Sequence, residues 1–146
     1  MKEKIHDKLQ RVQREIKELQ EDLPQIMGVV AVEKFKLNFE KEGLIKGGRI
    51  SKWKPRKEKR NDRKILSDTN QLENAIRFRI VSKSEVAVGV DLNKVPYAQI
   101  HNEGGTIKTK HASIDMPARP FMEITPDIDK SIERVINSFM DDIFNS

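Results

Sequence analysis

The chain contains no cysteine, and this absence excludes two classes of structure. A disulfide framework is impossible, and so is a zinc site built on thiolates. No apolar run approaches the roughly 20 residues that a membrane-spanning helix needs. The first residues, Met1 to Asp7, have the character of a charged helix start rather than a signal peptide. We therefore expect an intracellular protein that does not contact a membrane.

The sequence also lacks a recognisable catalytic set. Its three histidines are His6, His101 and His111, and none belongs to a known catalytic or helical metal-binding motif. A metal site formed by His101, Glu103 and His111 is conceivable, since imidazole and carboxylate are both metal ligands. We favour the alternative, in which His101 lies on the inner face of a short helix and bonds a backbone carbonyl. We predict a protein without enzymatic activity, metal or cofactor.

Charge is abundant in this chain and unevenly distributed. The net charge is +5, but the stretch from Leu44 to Lys64 alone holds ten basic residues against two acidic ones, a net +8. Its glycines, its proline and its lack of periodicity predict a long mobile loop over residues 43–64. Such a loop can contact a nucleic-acid backbone, stay solvated, or become ordered on a partner protein. The candidate contact residues for DNA or a partner are Lys52, Trp53, Lys54, Arg56, Lys57, Lys59 and Arg60.

Trp53 is the one aromatic residue within this basic stretch. Its ring can stack on a nucleic-acid base, or it can pin the loop to the body of the protein. We favour pinning.

The two ends of the chain have the periodicity of helices. Apolar residues from Ile5 to Ile26 recur at alternating spacings of four and three, which is typical of a coiled-coil seam. Pro24 removes a donor and clashes with the preceding turn, so we expect one helix to about Asp22 and a second from Pro24 to about Glu40. The apolar stripe can pack on the protein's own core or on a neighbouring subunit. Thr125-Pro126-Asp127 has the capping pattern that begins a final helix.

The middle of the chain predicts a short helix followed by a β-hairpin. Asp68 or Asn70 can cap a helix that turns Leu72 and Ile76 inward. The alternating segment 77–80 and the β-branched segment 86–90 predict the two strands of the hairpin.

A second short helix is predicted from Val95 to Glu103, ended by Gly104-Gly105. Residues 106–115 are extended and polar, as in an edge strand or a projecting arm. The fold class that follows is α+β in a single domain, with a small antiparallel sheet packed against N-terminal and C-terminal helices. Its parts are helices at 1–42, the basic loop at 43–64, a helix-and-sheet core with an arm at 65–125, and a final helix at 126–146.

The segment from Met116 to Phe121 carries two prolines three residues apart. Both prolines fix their own φ and push the residue before them toward extended geometry. A stiff arm that ends in a large apolar side chain suits docking against another protein. The candidate interface residues are Pro117, Arg119, Pro120, Phe121, Tyr97 and His101.

In their order and spacing, these segments resemble the phage virion morphogenesis family, the tail-completion proteins of Mu-like and related tailed phages and prophages. The landmarks span residues 35–126 and are Phe39-Glu40-Lys41-Glu42-Gly43, Trp53-Lys54-Pro55, residues 65–72, residues 86–90, Tyr97-Ala98-Gln99-Ile100-His101-Asn102-Glu103-Gly104-Gly105 and Pro117-Ala118-Arg119-Pro120-Phe121-Met122. Two positions depart from the family pattern. Asn70 stands where a glycine is expected, and asparagine tolerates the same left-handed backbone. Ala75 replaces the usual serine.

The resemblance implies a structural protein of virion assembly that acts in tail completion or head–tail joining. It implies a ring-forming homo-oligomer, contacts with other tail or neck proteins, and no catalytic residue. It also implies a passage from the host cytoplasm into the tail or neck of the virion. In such a ring the basic loop would face the DNA channel or a neighbouring virion protein. The alternative hypothesis is a non-specific DNA-binding module that uses residues 44–64.

Overall fold

A long N-terminal helix and three separate β-hairpins organise the chain. In the computed structural model, residues 4–57, 64–67 and 70–146 are described. The helices are α1 (Ile5–Lys41), α2 (Gln71–Asn74), α3 (Ala98–Glu103) and α4 (Pro126–Asn145). The antiparallel strand pairs are β1 (Gly43–Lys46) with β2 (Arg49–Lys52), β3 (Ile76–Ser82) with β4 (Glu85–Val90), and β5 (Gly105–Lys108) with β6 (Ser113–Met116). The predicted α+β class is confirmed, with three two-stranded sheets in the described part of the chain.

α1 is a continuous helix of 37 residues that contains Pro24. The prediction of two helices divided at this proline was therefore wrong. A proline in a helix interior costs about 3 kcal/mol, but Pro24 is buried and the apolar stripe around it packs on α4 and on the β3–β4 hairpin. This burial offsets the local cost, because tertiary packing contributes most of the stability of helices in proteins.

α4 runs antiparallel to α1 and covers part of its apolar stripe. Near the start of α1, the Arg11 guanidinium donates to the carbonyl oxygens of Ile143 at 3.4 Å and Ser146 at 2.9 Å. Near the other end of α1, Phe35 and Asn38 line a small cavity together with Thr125 and Ile128. Thr125 occupies the predicted N-cap position, but its side chain makes no capping hydrogen bond.

The β3–β4 hairpin, which the alternating pattern predicted, packs on the middle of α1. Ile76 pairs with Val90 and Phe78 with Val88, which places these apolar side chains on the face toward the helix. The close approach requires a glycine in α1, since a Cβ at Gly28 would lie 2.2 Å from the Phe78 ring. The hairpin and the second half of α1 thus form the main layer of the core.

The β1–β2 hairpin replaces the irregular loop predicted from residue 43 onward. Lys46 pairs with Arg49, so the turn between them is Gly47-Gly48, and both glycines have positive φ, at 62° and 72°. Two-residue turns with positive φ match the twist of a hairpin. The loop prediction was therefore wrong for residues 43–52, because the glycine pair forms a tight turn rather than irregular structure.

Two smaller elements depart from the expected local chemistry. Asn70 adopts the left-handed backbone (φ 57°) expected where the family has glycine, but its side chain does not cap α2; Asp68 lies outside the described residues.

Gly105–Met116 forms a third hairpin, the β5–β6 ribbon. Its two strands pair with each other and make only sparse contacts with the other described elements.

Candidate functional site

The aromatic side chains of three sequence landmarks meet in one buried cluster. The Phe39 ring lies 5.5 Å from the Trp53 ring, edge on, and 5.2 Å from the Phe121 ring. Phe121 is only 1 % exposed. The prediction that Phe121 anchors this chain on another protein is therefore corrected, because the anchor fills the protein's own core.

The proline-containing segment is bound to the residues that follow β2. The Trp53 indole Nε1 donates to the Pro120 carbonyl at 2.8 Å. The Arg119 guanidinium donates to the carbonyl oxygens of Lys54 at 2.9 Å and Pro55 at 3.3 Å. The structure thus joins two segments that the sequence suggested as separate sites. It confirms that Trp53 pins its segment to the protein body, and a buried Trp53 ring cannot stack on a base.

Arg119 is buried, so its charge needs compensation from within the protein. The two carbonyl oxygens supply it, and the backbone N–H of Arg119 also donates to the His101 carbonyl at 2.8 Å. Burial, and next the positive charge of Arg56, lower the pKa of Arg119. An arginine remains protonated at neutral pH even so. We assign Arg119 an intramolecular role, as the clamp between the proline segment and residues 54–55.

Two asparagines complete the cluster, and neither was singled out from the sequence. The Asn102 Oδ1 accepts the backbone N–H groups of Phe121 at 3.0 Å and Met122 at 3.1 Å. The Asn38 Nδ2 donates to the Phe121 carbonyl at 2.9 Å, and its Oδ1 accepts the Ile45 N–H at 3.1 Å. Asn102 lies inside the Tyr97–Gly105 landmark, which was its only sequence signal. Asn38 gave a weaker signal, as a polar residue beside the apolar side of a helix.

His101 lies beside this cluster but not in the arrangement that the sequence suggested. Its ring packs edge on against Tyr97, with ring centroids 5.7 Å apart, and its buried Nδ1 has no hydrogen-bond partner, so the predicted bond to a carbonyl is absent. Burial, and next the Arg119 charge, lower the pKa of the imidazole, which is therefore neutral at pH 7. Within the described ranges, no group of three potential metal ligands comes together.

The surroundings of Pro117 and Tyr97 are more open. Pro117 is half-buried, and Tyr97 is partly exposed while its hydroxyl lies 3.2 Å from the Gln71 Oε1. Pro120 and His101 are likewise half-buried, so of the predicted interface residues only Tyr97 is exposed.

The basic residues divide into two groups in the structure. Lys52, Lys54 and Lys57 are exposed, whereas Arg56 is half-buried and donates to the Lys64 carbonyl at 2.6 Å. Lys59 and Arg60 lie outside the described residues. Together with Lys46 and Arg49, the exposed lysines make the β1–β2 hairpin and the segment after it a basic surface, here called the basic hairpin (residues 44–57).

Asp127 holds the basic hairpin against the first turn of α4, a role that sequence reasoning missed. Its carboxylate accepts the backbone N–H groups of Gly47 at 2.6 Å and Gly48 at 2.9 Å. Donation from Gly48, and next from Gly47, lowers the pKa of the Asp127 carboxyl. The sequence signal was an acid in a first helical turn, which is common for reasons of helix polarity alone.

The outward surfaces are open rather than enclosed. A groove of about 710 Å³ lies on the outer side of the β3–β4 hairpin, lined in part by Arg77, Arg79, Asp91 and Lys94. On the β5–β6 ribbon, Ile107 and Ile114 form an exposed cross-strand pair. Such surfaces suit contact with macromolecules better than the enclosure of a small substrate. None of the described helices is long and apolar enough to cross a membrane.

Comparison with known proteins agrees with the resemblance seen in the landmarks. The model of the phage virion morphogenesis family matches residues 1–141, nearly the whole chain. The resemblance therefore extends beyond residues 35–126 into both terminal helices. No curated protein and no solved structure matches the chain significantly.

Proposed function

The chain belongs to the phage virion morphogenesis family, a family of structural proteins that assemble phage particles, and from that membership we propose that it acts in tail completion or head–tail joining. In this role it associates with further copies of itself in a closed ring and contacts other tail or neck proteins. The observation that carries the proposal is the family match over residues 1–141.

The division between inward and outward residues supports this role. Three landmarks of the family supply the buried rings of Phe39, Trp53 and Phe121, and a fourth supplies the half-buried Asn102 that accepts the Phe121 N–H, so these landmarks build the scaffold. What the scaffold presents outward is the β5–β6 ribbon, whose strands are almost entirely exposed. An isolated two-stranded hairpin is marginally stable in water, and its free edges can pair with a strand of another protein. A ring requires such a contact between two different surfaces.

Complementation of a phage that lacks this gene tests the proposal. We expect tailless particles or unjoined heads and tails in lysates of the deletion phage, visible by electron microscopy, and rescue by the chain supplied from a plasmid. Replacing residues 107–114 by a short Gly-Ser linker should abolish rescue, because it removes the ribbon.

The control for the ribbon deletion is a measurement of its free energy of unfolding, which shows whether the altered chain still folds. Because the ribbon makes few contacts with other elements, the deletion should change the free energy of unfolding by less than about 1 kcal/mol, in the range of surface changes. Complete, joined particles in the absence of the gene would contradict the proposed role. Full rescue by a folded ribbon deletion would contradict only the role of the ribbon.

The basic hairpin supports a second candidate function, contact with DNA. Residues 44–57 hold six basic side chains and no acidic one, and the hairpin fixes several of them on an exposed surface. Since Trp53 is buried, the expected contacts are to phosphates, which give affinity without sequence preference.

Neutralising three exposed lysines tests this second function. The variant Lys52→Gln, Lys54→Gln, Lys57→Gln should bind a 30-base-pair duplex more weakly. The slope of log affinity against log salt should fall in magnitude by roughly 3, at about 0.9 per lost phosphate contact. The control variant Lys83→Gln, Lys94→Gln, Lys130→Gln removes the same charge from exposed positions elsewhere. Equal losses in the two variants would show that total charge, and not the hairpin, determines binding.

A further inference from the structure

The free end of the α1–α4 pair exposes a cluster of large apolar side chains. This helical end comprises residues 5–16 of α1, residues 135–145 of α4 and the terminal Ser146. The exposed fractions are 81 % for Ile5, 56 % for Leu9, 45 % for Phe139 and 50 % for Phe144. Apolar clusters of this kind on a protein surface mark interaction sites.

The exposed residues of α1 continue the stripe that is buried further along the helix. Leu9 precedes Val12 by three positions, and Val12 is buried, so both lie on one side of α1. α4 ends at Asn145, where Ser146 meets Arg11, so the first turn of α1 extends past it. The β3–β4 hairpin covers α1 near Gly28, about 28 Å from Leu9 along the helix axis at 1.5 Å per residue. The described part of the chain therefore leaves this end of the stripe uncovered.

The two helices carry opposite charge at this end. Residues 5–16 of α1 contain three basic and two acidic side chains, a net charge of +1, and Lys4 and Lys17 flank them, whereas residues 135–146 contain Asp141 and Asp142 and no basic side chain. Lys4, Lys8, Asp141 and Asp142 are all exposed. A surface with a basic half and an acidic half is complementary to a copy of itself turned by two-fold rotation, since each α1 then faces the partner's α4.

We propose that the helical end is a homodimer contact, in which the α1–α4 ends of two copies pack about a two-fold axis into a four-helix bundle. The apolar residues of both copies form its centre, with helices packed as in a coiled coil. The charged residues form its rim and set the orientation. This contact is additional to the ring contact of the proposed function, because a two-fold contact joins the same surface of two copies whereas a ring contact joins two different surfaces.

Introducing a charge at the centre of the contact tests the proposal. Sedimentation of the full chain over a range of concentrations should show a dimer, and Leu9→Glu should raise the dissociation constant by roughly 30-fold or more, as expected for a central interface residue. The control is Ile124→Glu, at a residue that is 71 % exposed and lies outside the helical end. It should leave the dissociation constant unchanged. Circular dichroism establishes that both variants keep their helices.

Cross-linking gives a second measurement that does not depend on the stability of a variant. Because the chain has no cysteine, Leu9→Cys introduces a single thiol close to the proposed two-fold axis. Oxidation should convert this variant to a covalent dimer in non-reducing electrophoresis. Ile124→Cys should remain a monomer under the same conditions. Equal cross-linking of the two variants would overturn the two-fold packing.

Charge reversal tests the pairing of α1 with the partner's α4. The double variant Lys4→Glu, Lys8→Glu and the double variant Asp141→Lys, Asp142→Lys should each lose self-association, because like charges then face each other across the axis. A mixture of the two variants should restore a dimer, since both contacts in the mixed pair again join opposite charges.

The outcomes separate this inference from the proposed function. If the chain self-associates but Leu9→Glu does not weaken the association, another surface forms the oligomer and only this inference fails. If the chain is a monomer at every concentration, both the dimer and the ring fail. If Leu9→Glu abolishes phage rescue while the unaltered chain is a monomer, a different virion protein covers the helical end, and the inference is overturned.

Discussion

Gly28 shows that a single position can be determined by a neighbour far away in the sequence. A glycine in the interior of a helix costs about 1 kcal/mol relative to alanine, so its presence in α1 is locally unfavourable. The structure supplies the reason, because a Cβ at this position would lie 2.2 Å from the Cδ2 of Phe78. Local propensity favours alanine, whereas the packing of the β3–β4 hairpin requires glycine.

We expect packing to outweigh propensity at Gly28. The variant Gly28→Ala should lower the free energy of unfolding by about 1–3 kcal/mol, the usual cost of overpacking a core, despite its better helix propensity. Gly89→Ala is the matched control, because a Cβ there meets nothing within 4 Å and its effect should be close to zero. Urea denaturation measures the free energy of unfolding of both variants, provided that their m-values equal that of the unaltered chain. A midpoint for Gly28→Ala at or above that of the unaltered chain would contradict the argument.

Some single residues could be predicted from the sequence and others could not. The left-handed backbone of Asn70 was expected from the glycine that the family pattern has there, and pinning was the favoured of two roles for Trp53; both are confirmed. The sequence identified Phe121 as an anchor, but Phe121 packs in the core of its own chain and not on another protein. The prolines beside it determine local geometry, whereas its partners Phe39 and Asn38 lie more than 80 residues away in the sequence.

At the scale of elements, the basic hairpin is a regular structure although its composition suggested a loop. The glycines, the proline and the lack of periodicity in residues 43–64 suggested a mobile loop, yet Gly47 and Gly48 form the turn of a hairpin and donate to Asp127. The anchor lies 79 residues further along the chain. α1 shows the opposite error, since Pro24 suggested a break that burial of the stripe overcomes. In both elements a tertiary contact outweighs the local conformational preference of the sequence.

The link between Asp127 and the basic hairpin should depend on pH. Since the folded state lowers the pKa of this carboxyl, its stabilising contribution is present above the ordinary value of 3.8 and is lost as pH falls through the lower, folded value. Asp127→Asn should therefore be less stable than the unaltered chain at pH 7, and the difference should shrink below about pH 4.

Thermal unfolding between pH 2.5 and 7 measures this difference. Asp129→Asn is the control, because Asp129 is exposed in the same helical turn and makes no hydrogen bond to the hairpin. A stability difference between Asp127→Asn and the unaltered chain that is the same at pH 7 and pH 3 would show that the carboxylate charge plays no part in the link.

At the scale of the whole molecule, α1 is an axis with two unlike ends. Its C-terminal half carries the aromatic cluster and the β3–β4 hairpin, whereas its first turns contact the end of α4 through Arg11 and leave Ile5 and Leu9 exposed. At 1.5 Å per residue the helix is about 55 Å long. The resemblance predicted the class of protein, and the family match confirms it. The difference between the two ends of α1 could not be predicted, because the spacing of the apolar stripe is regular from Ile5 to Ile26.

Hydrogen exchange should reveal this asymmetry along α1. At low protein concentration, amides before about residue 16 should exchange faster than those of residues 28–39, because local opening is easiest where few apolar contacts are lost. Raising the concentration should slow the first group if the helical end is a dimer contact. Uniform protection along α1 at low concentration would show instead that the helix opens as a single unit.

The two hydrogen bonds of Asn38 also affect when the protein can mature during its synthesis. Its side chain takes one partner from residue 45 and the other from residue 121, so a nascent chain that has not yet reached Phe121 leaves this amide half satisfied. In the same unfinished chain the Trp53 indole lacks its acceptor, Pro120. The ribosome must therefore deliver about five-sixths of the polypeptide before the aromatic cluster can form, so this part of the core is completed only when translation is nearly finished.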